Sequence, residues 1–185
     1  MYDVSFILPT KREYNKWAKY TVDSVFLAQE AYYKTFGIYK SFEILVCSQE
    51  NINDSRVKYI KENVLLGASV AINNCAKIAN GKYLSLLVDD HFAGANLFCI
   101  CDAMEAEVLR DRKFKIITLP AAYGAKLSLP ETSPTFVHKL LKKIGCYVNI
   151  PLFVAMCFPV VSKETFESEL KGYLFHPYLK SMGDL

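Results

Sequence analysis

Several things are scarce in this 185-residue chain. The six cysteines, at 47, 75, 99, 101, 146 and 157, form no Cys-x-x-Cys pair, and the three histidines show no paired spacing. Both gaps argue against a structural zinc site, whose ligands come in short, regular steps. Cys47 follows Ile-Leu-Val and Cys157 sits in Ala-Met-Cys-Phe, apolar settings that predict buried free thiols in a reducing compartment. Charge of one sign is also missing. With 22 Lys and Arg against 19 Asp and Glu, the net charge of +3 is too mild to argue for a nucleic acid partner. The longest apolar run, 150–161, is broken by Pro151 and Pro159 and falls short of the ~20 residues that cross a bilayer. Met1-Tyr-Asp-Val leads directly into a strand pattern rather than a secretory leader, so the expectation is a soluble protein of the cytoplasm. Internal repeats and low-complexity tracts are absent as well.

Apolar side chains are plentiful at 52%, with 12 Tyr and 12 Phe. The chain is read as one domain over residues 1–185, large enough to bury roughly 70% of its unfolded surface. Val4 to Leu8 reads as a buried strand stopped by Pro9. Ala18, Val22, Val25, Ala28 and Tyr32 then mark one face of a helix that Gly37 terminates. Phe42 to Cys47 is a second strand. Asn53 or Asp54 is placed to cap a helix with Val57, Ile60 and Val64 on one face, and Ser69 to cap another with Ala71, Cys75 and Ile78 inward. Leu97, Ile100, Met104 and Val108 mark a further helix, and Lys115 to Leu119 a further strand. A proline-bearing loop spans 120–134, a short basic helix 136–144, and one or two strands 152–161, before a helix capped by Ser162. Strands alternating with helices predict an α/β fold: a mostly parallel, Rossmann-like central sheet with helices on both faces.

The most informative segment is Gly81-Lys-Tyr-Leu-Ser-Leu-Leu-Val-Asp89-Asp90-His91. An apolar run of strand character empties into three polar, metal-competent side chains. Side chains alternate across an extended backbone, so Asp89 and His91 are expected to project to one side and Asp90 to the other. A carboxylate and an imidazole at the C-terminal end of a buried strand suit a divalent cation, and ligands of open α/β sheets bind at that end.

The order of these pieces resembles a family 2 glycosyltransferase with the GT-A nucleotide-sugar-binding fold. The first strand ends Ile-Leu-Pro9-Thr10-Lys-Arg12, the next helix carries Thr21-Val-Asp-Ser-Val25, and the second strand is Phe42-Glu-Ile-Leu-Val46. Gly67-Ala-Ser-Val-Ala71-Ile-Asn73 and Ala79-Asn-Gly81-Lys-Tyr83 keep the family's register. Asp89 and His91 then fall where that family has its Asp-x-Asp metal motif. Phe175-His-Pro-Tyr-Leu-Lys-Ser-Met-Gly-Asp184-Leu185 is similar to its acceptor-side segment. The chain departs from the pattern in four places: Ser48 stands where an Asp usually meets the nucleotide base, His91 replaces the last Asp, Ile72 stands where an Arg is common, and the sequence stops just after Asp184. The last departure implies a domain that is minimal or truncated at its C-terminal end.

The resemblance implies inverting transfer of a sugar from a UDP- or GDP-linked donor to a hydroxyl of a glycan, a lipid-linked acceptor or a protein. It places Mn²⁺ or Mg²⁺ on Asp89 and His91, with Asp184 as general base. The nucleotide sugar would meet Pro9, Thr10, Arg12, Ser48, Glu50, Asn73, Asp89 and Asp90, with Asn51 beside the base or ribose. The Lys139, Lys142 and Lys143 cluster suits contact with the inner face of a membrane beside a lipid-linked acceptor. The Ser48 departure and the early stop leave a second reading open, a catalytically inactive nucleotide-binding or scaffold module. A nucleotidyltransferase is disfavoured because Pro-Thr-Lys-Arg follows the first strand, where a glycine-rich phosphate loop would be expected.

Overall fold

The computed structural model describes residues 1–63, 67–89, 91–94, 97–109, 116–118 and 159–175, with the backbone alone at 107–109, 116–118 and 159. These belong to one compact unit formed by Met1–Leu119 and Met156–Leu185. The expected loop over 120–134, the basic helix over 136–144, Asp90 and Asp184 lie outside the described residues.

Strand β1 (Tyr2–Pro9) is apolar on both faces, and Val4 to Leu8 are fully buried, as a central strand requires. It pairs in parallel with β2 (Phe42–Ser48) on one side and β4 (Gly81–Leu86) on the other. A short strand β3 (Lys58–Lys61) adds in parallel to β2. On the far side β6 (Pro159–Ser162) runs antiparallel to both β4 and β5 (Ile116–Thr118). Among the described residues the order is β3-β2-β1-β4-β6-β5. The fold is therefore α/β with a mostly parallel sheet, as the alternation of patterns predicts.

Helix α1 (Asn15–Phe36) buries Ala18, Val22, Val25, Ala28 and Tyr32, the stripe read from the spacing. Gly37 ends it at φ 67, where its N–H reaches the Tyr33 carbonyl at 2.8 Å; a residue with a Cβ would be strained there. With α3 (Cys99–Leu109), α1 covers one face of the sheet through an aromatic cluster. Phe98 meets Phe6 edge-on at 5.7 Å and lies 5.4 Å from Phe42 and 6.1 Å from Tyr32. Each such ring contributes about 1.5–3 kcal/mol by burial, and each favourable pair about 0.5–1.5 kcal/mol more. Helix α2 (Ala68–Ile78) covers the opposite face with Ala71, Ile72, Cys75 and Ala76 against Ile7, Leu45, Leu84 and Leu86. Phe166, from the short helix α4 (Lys163–Ser168), joins that cluster. Ser162 caps α4, its hydroxyl accepting from the Thr165 N–H at 3.0 Å.

Three local expectations are corrected. Lys58–Lys61 form an edge strand rather than part of a helix: Asp54 turns the chain by accepting from the Arg56 N–H at 2.9 Å, and Tyr59 and Ile60 then join the open edge of β2. Helix α2 is capped by Gly67, so Ser69 lies inside its first turn; Ile72 faces the core and Ile78 is half exposed. Strand β4 ends at Leu86, short of Val88.

Candidate functional site

Gly81 explains how two strand ends come together. A Cβ there would sit 2.7 Å from the Val4 carbonyl carbon and 2.6 Å from Ser5 Oγ, so only glycine lets β4 lie this close to β1. The Gly81 N–H donates to Ser5 Oγ at 2.7 Å, and Ser5 in turn donates to Glu43 Oε1 at 2.6 Å. The chain builds outward from β1 to β2 and β3, then returns to the other side of β1 as β4. That reversal leaves a crevice beyond the C-terminal ends of the parallel strands, where open α/β sheets bind ligands.

A cavity of about 350 Å³ occupies this place. Pro9 and Thr10 line it at the end of β1, Cys47 at the end of β2, and Leu86 to Asp89 beyond β4. Gly67, Ala68 and Ala71 of α2 and its start, Glu62 after β3, and Lys11 and Tyr14 from the turn before α1 complete the wall. Of the residues expected from the sequence, Pro9, Thr10 and Asp89 are thus brought to one cavity. The Thr10 hydroxyl donates to Asp89 Oδ2 at 2.8 Å across 79 residues of sequence, fixing that carboxylate at the rim.

Beyond Asp89 the chain does not stay extended. The His91 N–H donates back to the Val88 carbonyl at 3.1 Å and closes a turn, so strand alternation does not set the directions of Asp89 and His91. The turn is held from below by α1. The buried Thr21 hydroxyl lies 2.9 Å from the His91 carbonyl, 3.1 Å from that of Asp89 and 3.4 Å from that of Val88. Ser24 Oγ accepts from the Ala93 N–H at 2.8 Å while donating to the Thr21 carbonyl at 2.7 Å. The sequence places Thr21 and Ser24 in a motif but gives neither a task. The signal available was two hydroxyls three residues apart on the buried face of an otherwise apolar stripe.

The remaining expected residues stand around the cavity rather than in its wall. Arg12 Nε and Glu50 Oε1 pair at 3.0 Å, both largely exposed, bridging the loops after β1 and β2. Such a pair contributes little to stability. Ser48 is fully buried, its hydroxyl 3.5 Å from Asn15 Oδ1 and 3.4 Å from the Glu50 N–H. Asn51 accepts from the Asn53 N–H at 2.8 Å. Asn73 faces away from the cavity wall: its Nδ2 donates to the Phe175 carbonyl at 2.9 Å, and its Oδ1 accepts from the Leu174 and Phe175 N–H groups at 2.9 and 3.1 Å. This amide straps the C-terminal segment to α2.

Cys47 in the cavity wall accepts a hydrogen bond from the thiol of Cys75, which is buried in the core cluster. That hydrogen bond lowers the pKa of Cys47 against its burial, and the same bond together with burial raises that of Cys75. Both thiols are free, as are Cys99 and Cys101. Asp89 and His91 are two donors of the right chemistry for a cation that completes its shell with phosphate oxygens and water. No cluster of three or more such donors occurs among the described residues, so a cation here would depend on the ligand for the rest of its shell. No helix among the described residues is long and apolar enough to cross a membrane.

No family model and no curated protein matches the chain. Solved structures do. Staphylococcus aureus TarS 1-349 in complex with UDP is similar at 15% identity and a TM-score of 0.60, over 98% of this chain and 52% of that one. The mannosyltransferase PcManGT from Pyrobaculum calidifontis, in complex with GDP-Man and Mn²⁺, is similar at 15% identity and a TM-score of 0.60, over 96% of this chain and 48% of that one. Mannosyl-3-phosphoglycerate synthase from Rubrobacter xylanophilus follows at 18% identity and a TM-score of 0.51, over 89% and 55%. The chain therefore spans about half the length of the solved chains it matches, and at these identities what it shares with them is the fold.

Proposed function

We propose that the chain is the donor-binding domain of an inverting, metal-assisted glycosyltransferase that takes a nucleotide-diphosphate sugar. The observation that carries this reading is the cavity at the reversal of strand order, with the Asp89 carboxylate fixed at its rim by Thr10. Support also comes from fold neighbours solved with UDP and with GDP-Man and Mn²⁺.

In this reading the nucleotide enters between the ends of β1 and β2, within reach of Arg12 and Glu50, and the diphosphate lies toward Asp89. Asp89 and His91 would hold Mn²⁺ or Mg²⁺. A bound cation supplies Lewis-acid stabilisation of the negative charge on the departing diphosphate. Asp184, outside the described residues, takes the proton of the acceptor hydroxyl, a role that typically contributes ~10²- to 10⁴-fold. The acceptor oxygen forms its bond to the anomeric carbon as the sugar–phosphate bond breaks. The bonding pair leaves with the nucleoside diphosphate, and one displacement inverts the centre. The acceptor is a glycan, a lipid-linked molecule or a protein.

A second reading, a nucleotide-binding or scaffold module without turnover, is favoured by the buried Ser48, whose hydroxyl meets Asn15 and Glu50, and by the mutual pairing of Arg12 with Glu50. Calorimetric titration with UDP and GDP, each with and without Mn²⁺, tests the proposal. Metal-linked binding that Asp89→Asn weakens at least tenfold supports a donor site; a chain indifferent to both nucleotides rules it out. Donor turnover in a form that includes Asp184 then separates enzyme from binding module.

A further inference from the structure

Thr21 and Ser24 are buried on α1. Their hydroxyls point at the backbone of one short segment, the turn that carries Asp89 and His91. A hydroxyl inside a helix ordinarily satisfies itself on the carbonyl three or four residues back, which gains little and bends the helix. Ser24 does this toward Thr21, leaving its oxygen as an acceptor for Ala93 N–H. Thr21 donates outward, with three carbonyls of the turn gathered around one proton and the closest that of His91. The two contacts flank Phe92, at the His91 carbonyl and the Ala93 N–H, and the Thr21 hydroxyl also lies 3.1 Å from the Asp89 carbonyl ahead of His91. They therefore fix both the position and the rotation of the peptide planes there.

We propose that Thr21 and Ser24 are positioning residues of the donor site, holding the turn after β4 so that Asp89 and His91 stand at the spacing a diphosphate-bound cation needs. This rests on the donor-site reading above and adds to it a source of preorganisation lying on a helix outside the cavity wall. The physical requirement is clear. Thr10 holds the Asp89 carboxylate from the end of β1, and the Thr21 and Ser24 contacts add to the turn's own His91–Val88 bond a hold from α1. Groups that orient metal ligands from behind typically change metal affinity 10- to 100-fold when removed.

The test uses the whole chain and Mn²⁺ as the probe, its binding read by the loss of the free-ion EPR signal in the presence of saturating UDP or, in parallel, GDP. Thr21→Val keeps the shape and removes the hydroxyl; it is expected to weaken Mn²⁺ binding about 10- to 100-fold. Metal-free nucleotide binding, which depends on the cavity wall, stays within about twofold of the parent by the same reasoning. Thr21→Ser restores the hydroxyl and recovers most of the metal affinity. Ser24→Ala, the milder change, weakens Mn²⁺ binding in the same direction and serves if Thr21→Val does not fold. The inference is overturned if the two hydroxyl deletions leave Mn²⁺ binding unchanged, or if metal-free nucleotide binding falls equally, since that pattern means general loosening of the pocket. A parent chain that binds neither nucleotide with Mn²⁺ overturns the donor-site reading itself, and this positioning role with it.

Discussion

Replacing Asn73 by Ala separates a strap from a substrate contact. The carboxamide is buried at 3% exposure and makes three hydrogen bonds, all to the backbone of Leu174 and Phe175. At about 0.5–1.5 kcal/mol net per bond, and with two N–H groups and a carbonyl left without partners, the loss is about 2–4 kcal/mol. Asn73→Asp keeps the acceptor for the two N–H groups but sets a buried carboxylate oxygen against the Phe175 carbonyl, so it should destabilise as well. Urea unfolding followed by far-UV circular dichroism measures both. Limited proteolysis adds a local reading, because freeing 174–175 from α2 should expose that stretch to cleavage before the rest of the chain opens. Nucleotide affinity should hardly change. The reasoning is refuted if Asn73→Ala stays within about 0.5 kcal/mol of the parent while UDP or GDP binding weakens, because the amide would then be serving the ligand rather than the chain.

Gly81→Ala should destabilise by about 3 kcal/mol or more, since the new methyl meets the backbone of β1, and a lowered melting temperature of at least about 6 °C would register it. Thr10→Val removes the Thr10 hydrogen bond to the Asp89 carboxylate and is expected to weaken Mn²⁺-linked nucleotide binding about tenfold, with stability little changed; equal titration curves would count against the rim geometry. Burial pushes the Asp102 carboxyl up, but hydrogen bonds from Lys40 at 2.8 Å and Tyr32 at 2.6 Å outweigh it and hold the pKa below the usual carboxylate range. A depressed folded-state pKa means stability that is complete above about pH 4 and is lost as pH falls through the folded value. Asp102→Asn should therefore flatten the acid side of the stability profile measured by urea titration between pH 3 and 7, and an unchanged acid slope would be the contrary result.

What the sequence revealed and what it hid divide along the range of the interactions concerned. Helix α1 was legible because its five-residue stripe and its terminating Gly37 are local. The place of Asp89 at the end of the β4 segment was legible for a similar reason: the apolar run before it is local, and Asp89 lines the cavity beyond that strand. Strand β3 was hidden, because Val57, Ile60 and Val64 fit a helical face equally well and only the open edge of β2, ten residues earlier in sequence, selects the strand. Ile72 and Ile78 lie six residues apart on α2, and the choice of which to bury depends on the tilt of that helix over Ile7 and Leu84. Strand alternation does not govern the directions of Asp89 and His91, because β4 ends at Leu86 and the chain turns between Val88 and His91, with the Thr21 hydroxyl 70 residues earlier beneath it.

These long-range hydroxyl contacts share a physical logic. A cavity for a charged ligand at the end of a sheet needs polar loops held still, yet a charged residue placed beneath those loops would compete with the ligand's own charges. Hydroxyls avoid that conflict. Thr10 steadies the Asp89 carboxylate, Thr21 the carbonyls around it and Ser24 the outgoing N–H, and none adds a formal charge to the site. The ion pairs of Arg56 with Asp54 and Asp23, and of Lys40 with Asp102, tie α1 and its flanking loops, while the Arg12–Glu50 pair stands on exposed loops around the cavity rather than beneath the turn. Exchanging Thr21 for a residue with a longer polar arm should therefore be worse than exchanging it for Val, since a buried group without a partner costs more than an absent one.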